Sequence, residues 1–189
     1  MKRLLIISAF CLGAVFTSKA QGVGFGIKGG VNLASLSGDG VTDASNRTGI
    51  HFGAYARVKL GGIGLQPEAY YSAQGAEVSF ANVKQAVDAN YLNIPILLRF
   101  NPVPILNFHI GPQFGILMSA DQAGQDIKDS LKSSDLSAAV GAGLDLPFGL
   151  NFTLRYVRGL SSINGDGDES IKNNTFQVSV GYDLVKIGK

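Results

Sequence analysis

From Gly22 onward, apolar and polar residues alternate with a period of two, the spacing that sends successive side chains to opposite faces of an extended strand. In the first block Val23, Phe25, Ile27, Val31 and Leu33 share one face, and Gly24, Gly26, Lys28, Gly30 and Asn32 share the other. The second block sets Ile50, Phe52, Ala54, Ala56, Val58 and Leu60 against His51, Gly53, Tyr55, Arg57 and Lys59. The third sets Ile63, Leu65, Ala69 and Tyr71 against Gln66, Glu68, Tyr70 and Ser72. Five more blocks repeat the pattern, running from Tyr91 to Phe100, Leu106 to Met118, Leu136 to Leu146, Asn151 to Tyr156 and Phe176 to Leu184. The alternation predicts eight strands. Pro95 and Pro112 lie inside two of them and cannot donate a ladder hydrogen bond, so local bulges are expected there.

The connections alternate in length. Gly61-Gly62, Asn101 to Pro104 and Pro147 to Gly149 read as tight turns, whereas Ser35 to Asn46, Ala76 to Ala89, Ala120 to Ser134 and Ser161 to Asn173 read as long polar loops. An even-stranded outer-membrane barrel has this rhythm, with short periplasmic turns, long extracellular loops and both termini in the periplasm. The expected fold is therefore all-β: an eight-stranded antiparallel up-and-down transmembrane β-barrel.

Alternation by itself fits a soluble barrel equally well. The polar face decides between them. A soluble exterior would be rich in Lys and Glu, but these strands carry one or two charges each, diluted with Gly, Ser, Asn and Gln. Such a face suits the narrow lumen of eight strands, which side chains just fill. Lys28, Arg57, Lys59, Glu68, Arg99, Asp145, Arg155 and Asp183 are accordingly expected to point inward and pair as a structural plug, leaving the Phe, Tyr, Leu, Ile and Val face to lipid. Only a closed barrel satisfies every backbone group in hydrocarbon, and strands of about 9–11 residues are enough to cross it.

Residues 1–20 stand apart from this pattern. Lys2 and Arg3 precede an apolar run from Leu4 to Phe16, followed by small residues at Ser18 and Ala20, the arrangement of a cleaved export signal. The expected division is a signal peptide over 1–20 and an outer-membrane β-barrel domain over 21–189. Removing Lys2, Arg3 and Lys19 turns a formal net charge of +2 into 13 basic against 14 acidic residues, which gives no support to nucleic-acid binding. The only cysteine, Cys11, lies in the signal, so residues 21–189 hold no thiol nucleophile, thiolate ligand or disulfide. No segment after the signal is apolar for the roughly 18 residues a spanning helix needs.

Three motifs carry possible chemistry. Gly24-x-Gly26-x-x-Gly29 fits a dinucleotide fingerprint in form, but its glycines follow the strand period and no helix is expected after them. The run Asn164-Gly165-Asp166-Gly167-Asp168-Glu169 resembles the start of a calcium loop. However, Glu169 stands where the EF-hand needs glycine, and Thr175 where it needs the bidentate glutamate, so a solvated acidic turn is expected. His51 and His109, the only histidines, fall on inward positions of non-adjacent strands; a hydrolase would require one of them beside a Ser and oriented by a carboxylate, and no such trio falls near a strand end. Lumen packing is the expected role of both. No catalytic residue, cofactor or metal ligand is assigned.

Several segments together resemble one known family. They are Gly24-Phe25-Gly26-Ile27-Lys28-Gly29-Gly30-Val31-Asn32, Tyr91-Leu92-Asn93-Ile94-Pro95-Ile96-Leu97-Leu98, Gly111-Pro112-Gln113-Phe114-Gly115 and Arg155-Tyr156-Val157-Arg158-Gly159-Leu160. In order and content they are similar to the PorT-like outer-membrane β-barrel family. The resemblance implies an eight-stranded barrel inserted by the barrel-assembly machinery, in contact with outer-membrane lipid and lipopolysaccharide. The function expected is that of a non-enzymatic structural or interaction protein with surface-exposed binding loops, whose partner could belong to the envelope or a secretion machinery. The alternatives are an outer-membrane lipid-modifying enzyme and a soluble periplasmic barrel that binds an apolar ligand.

Overall fold

A computed structural model describes residues 21–37, 47–80, 83–122, 125–127, 134–160 and 172–188. The expected signal segment 1–20, the loop positions Asn46 and Ser130, and the acidic run 164–169 lie outside the described residues. Eight strands form the wall: β1 (Gln21–Ser37), β2 (Arg47–Leu60), β3 (Ile63–Phe80), β4 (Val83–Phe100), β5 (Leu106–Gln122), β6 (Ser134–Asp145), β7 (Leu150–Gly159) and β8 (Lys172–Ile187). Each pairs antiparallel with its sequence neighbours, and β1 pairs with β8, so the sheet closes on itself as an up-and-down barrel. A two-residue strand, Gln125–Asp126, folds back onto the end of β5.

The burial pattern is that of a membrane barrel. Ile50, Phe52 and Ile110 are each 59 % exposed on the outer face, whereas Arg155 and His51 are 1 % exposed and Gln177 0 % inside. A soluble barrel would reverse these values, so the soluble alternative, with an apolar ligand in the lumen, is excluded by the faces themselves. The interior is packed by pairing large side chains with glycines on adjacent strands. A Cβ at Gly26 would lie 2.3 Å from the Tyr55 ring, and one at Gly141 would lie 2.5 Å from His109 Nε2. No other residue fits beside these rings.

Two expectations are corrected. The register runs through Pro95 and Pro112 without a shift, so neither makes a bulge. Instead the missing donor leaves a gap in the ladder toward the preceding strand: the β3–β4 pairs skip from Pro67↔Ile96 to Tyr70↔Asn93, and the β4–β5 pairs from Pro95↔Gln113 to Leu98↔Ile110. The shifts lie elsewhere, between Phe25 and Gly26 at the β1–β8 seam and between Asn90 and Tyr91 on β4. The second correction concerns the expected loop from Ala76 to Ala89. Apart from residues 81–82, it is strand, paired out to Phe80↔Val83. Glu77, Lys84 and Asp88 give the segment a loop-like composition, but Val78, Phe80, Val83 and Val87 still favour extended backbone. At 18 residues each, these two strands are longer than a bilayer crossing needs.

Candidate functional site: the polar lumen

Inward positions from all parts of the ring bring the lumen side chains together in three tiers. In the central tier Glu68 of β3 is held by two cations. Lys28 Nζ of β1 lies 2.9 Å from its Oε2, and Arg155 of β7 grips both oxygens, with Nη1 donating to Oε2 at 2.9 Å and Nη2 to Oε1 at 2.7 Å. All three side chains are almost wholly buried. The paired geometry of the guanidinium makes this the strong form of ion pair. Tyr70 packs against the Lys28 ammonium, 5.0 Å from ring centroid to Nζ, and donates its hydroxyl to Gln113 Oε1 at 2.7 Å. His109 accepts from Arg155 Nε at 3.3 Å.

The second tier lies toward the short turns. Arg99 Nη2 of β4 is 2.6 Å from Asp145 Oδ2 of β6, and Arg57 Nη1 of β2 is 3.2 Å from Asp183 Oδ2 of β8. Tyr55 donates to Asp183 Oδ1 at 2.5 Å, and Asn101 donates to Asp145 at 3.2 Å. Gln66 ties the two tiers together. Its amide nitrogen donates to Glu68 Oε1 at 2.7 Å, and its oxygen accepts from Arg57 Nε and Arg99 Nη1. Lys59 sits on the same side of β2 two residues beyond Arg57, partly buried, and forms no ion pair among the described residues.

The third tier, toward the long loops, is neutral. Asn32, Ser72, His51, Gln177 and Ser179 form a buried net, and within it Ser179 Oγ is 2.8 Å from His51 Nε2 and His51 Nδ1 is 2.7 Å from Asn32 Oδ1. The Asn32 amide nitrogen donates to Ser72 Oγ at 2.8 Å and to the Ala73 carbonyl at 3.1 Å, which turns its oxygen toward the ring. This assigns the imidazole proton to Nδ1 and leaves Nε2 to accept from the Ser179 hydroxyl. Sequence reasoning missed this trio, because Ser179 is 128 residues from His51 and the orienting group is a carboxamide. It has the connectivity of a hydrolytic triad but none of the surroundings. Ser179 lies in regular strand, laddered to both Gly30 and Thr153, so its backbone donors are committed rather than free for an oxyanion. A Cβ at Gly30 would lie 2.8 Å from the His51 ring, so the space beside the ring is already filled. Among the described residues no three His, Cys, Asp or Glu side chains gather as metal ligands would.

No curated protein matches the chain. Solved structures do. The chain is similar to Neisserial surface protein A (TM-score 0.60, 12 % identity, 86 % of this chain and 99 % of that one). It is also similar to OprG from Pseudomonas aeruginosa (TM-score 0.55, 15 % identity, 90 % and 98 %). A third likeness is to Ail, the attachment invasion locus protein of Yersinia pestis (TM-score 0.54, 17 % identity, 86 % and 99 %). At these identities the likeness is one of fold. The family model described as outer membrane protein beta-barrel domain matches residues 18–165, most of the chain, and the protein belongs to that family.

Proposed function

We propose that this is a non-enzymatic structural or interaction protein of the outer membrane, with a plugged lumen and binding confined to its long loops. The observation that carries the reading is the interior itself. Lys28, Glu68, Arg155, Arg57, Arg99, Asp145 and Asp183 are tied into ion pairs across the ring, and large side chains interlock with glycines around them. Eight strands leave an interior that side chains can fill, and here they do so with paired groups, which favours a structural role for these charges over a solute path. Burial of the Ser179–His51–Asn32 trio weighs against the enzyme alternative in the same way.

In this reading residues 1–20 are removed on export and the barrel-assembly machinery inserts the rest. The apolar wall meets lipid and lipopolysaccharide, the short turns and both termini face the periplasm, and the long loops reach the exterior to meet an envelope or secretion-machinery partner. The Tyr91–Leu98 and Arg155–Leu160 segments support a narrower placement in the PorT-like branch. The orientation is tested with single cysteines at Asn46, Ser130 and Gly62, labelled on intact cells with an impermeant reagent. Asn46→Cys and Ser130→Cys should react, and reaction of Gly62→Cys would overturn the topology.

A further inference from the structure

At the short-turn end of the lumen the charges do not balance. Among the described side chains two carboxylates, Asp145 and Asp183, face four cations, Arg57, Lys59, Arg99 and Lys186. Both carboxylates are already committed: Asp145 to Arg99 and Arg57, and Asp183 to Arg57, Lys186 and the Tyr55 hydroxyl. Lys59 is drawn toward Asp145 but repelled by the three other cations, and it has no carboxylate within ion-pairing distance among the described residues. A partly buried cation beside others of the same sign is unfavourable unless an anion joins it.

The space for such an anion exists. A cavity of about 150 Å³ opens at this end of the β1–β8 seam, lined by Arg57, Lys59, Lys186, Asp183 and the strand edges at Gly22–Gly24 and Ile187–Gly188. Two local features make the room. The register shift between Phe25 and Gly26 inserts Leu184 as an extra residue on β8, so that Lys186 comes to lie opposite Gly24, which also pairs with Arg57. Gly22 pairs with Lys59, and neither glycine puts a side chain between the cations. Water takes up roughly 30 Å³ per molecule in the liquid, so the cavity holds a tetrahedral oxyanion with room to spare.

We propose that this cavity is a phosphate-binding site, with the Lys59 and Lys186 ammonium groups as the direct ligands and Arg57 supplying charge behind them. The surplus of two positive charges among these side chains matches a phosphate better than a single carboxylate. The ligand is either the headgroup of a membrane phospholipid, whose acyl chains would follow Val23 and Ile187 along the outer face, or free phosphate entering from the water at the mouth. The site does not depend on which way the barrel points, since phosphate groups lie at both faces of a bilayer.

The test uses isotope-labelled protein extracted from the membrane in octyl glucoside, a detergent without phosphorus, and follows its amide resonances. Inorganic phosphate should shift Gly22, Gly24 and Gly188 along a saturating curve, while sodium chloride at the same ionic strength should not. Lys59→Gln and Lys186→Gln should each raise the half-saturation concentration by about tenfold or more, the loss of one charged hydrogen bond, and Lys59→Arg should restore it. Lys186 is half-exposed, so its variant carries the readout even if Lys59→Gln fails to fold. Dihexanoyl phosphatidic acid separates the two sources. Tighter saturation that also shifts Val23 and Ile187 identifies a lipid headgroup, and saturation no tighter than that of inorganic phosphate identifies the free anion. Linear shifts with phosphate, the same shifts with chloride, or indifference to both Lys→Gln variants would overturn the site.

Discussion

From its middle to its short-turn end the lumen is held by charge, with Glu68 shared between Lys28 and Arg155 and with Asp145 and Asp183 gripped by arginines from β2 and β4. Toward the long loops the same strands present Asn93, Gln113, Ser137 and Thr175 around the Leu97–Ala139–Val157 and Tyr91–Leu117 contacts, and the cavity left there is only about 10 Å³. The two halves solve the same packing problem differently. The half toward the long loops, where Asp135 at this cavity accepts from its neighbour Ser137, closes mainly by fit, so each group depends on its immediate neighbours. In the charged half each group depends on partners from several strands, so a single loss spreads.

The sharpest way to break this comparison is Glu68→Gln, which keeps the volume but leaves Lys28 and Arg155 buried without their shared anion. It should lower the unfolding free energy by about 3–5 kcal/mol, read from urea unfolding in lipid vesicles by circular dichroism. A loss under 1 kcal/mol would mean that water reaches the tier and the plug is not dry.

Next in size is the contrast between lumen and wall. Ile96 and Val140 are 41 % and 49 % exposed on the outer face, and Arg at either should cost about 2–4 kcal/mol if it sits at the bilayer midplane. Spin labels at the same two positions should respond to a lipid-borne quencher, whereas a label at Arg99 should be shielded from it. Labels with the opposite behaviour would mean that the faces are reversed.

The smallest effect belongs to the neutral side of the junction. Gln113→Leu removes the short acceptor of the Tyr70 hydroxyl, leaving it longer contacts to Gln177, and should cost about 1–3 kcal/mol in the same unfolding assay. If it equalled Glu68→Gln, the two halves would not differ in the way their packing implies.

The strand count, the faces and the alternating short connections are legible in the sequence because period two is a local signal, and each of the eight blocks repeats it. Partnership is not local. Lys28 and Glu68 are 40 residues apart and Arg155 and Glu68 are 87, so which cation meets which carboxylate follows from the register all the way round the ring. Gln66 reads as one more polar residue of β3, yet it joins two tiers. Likewise, nothing near His51 in sequence points to Ser179. The prolines mislead for a different reason: a lost donor announces a defect, but in a closed sheet with one buried face, skipping two pairs disturbs less than a slip that would turn every following side chain.

The closed ring also bears on the order in which the molecule can assemble. Neighbouring strands are joined through their own hairpins, but β1 and β8 meet across nearly the whole chain; the Gln177–Asn32 hydrogen bond links residues 145 apart. Contacts at such separations form late, since the chain between their ends must already be ordered. The groups that wait longest for partners are therefore those that reach across this seam: Asp183 for Tyr55 and Arg57, and Ser179 for His51. Until β8 arrives, β1 presents an unpaired edge, and Tyr55, Arg57 and His51 behind it on β2 lack one partner each, a template that fits one strand of the chain and tells it where to stop.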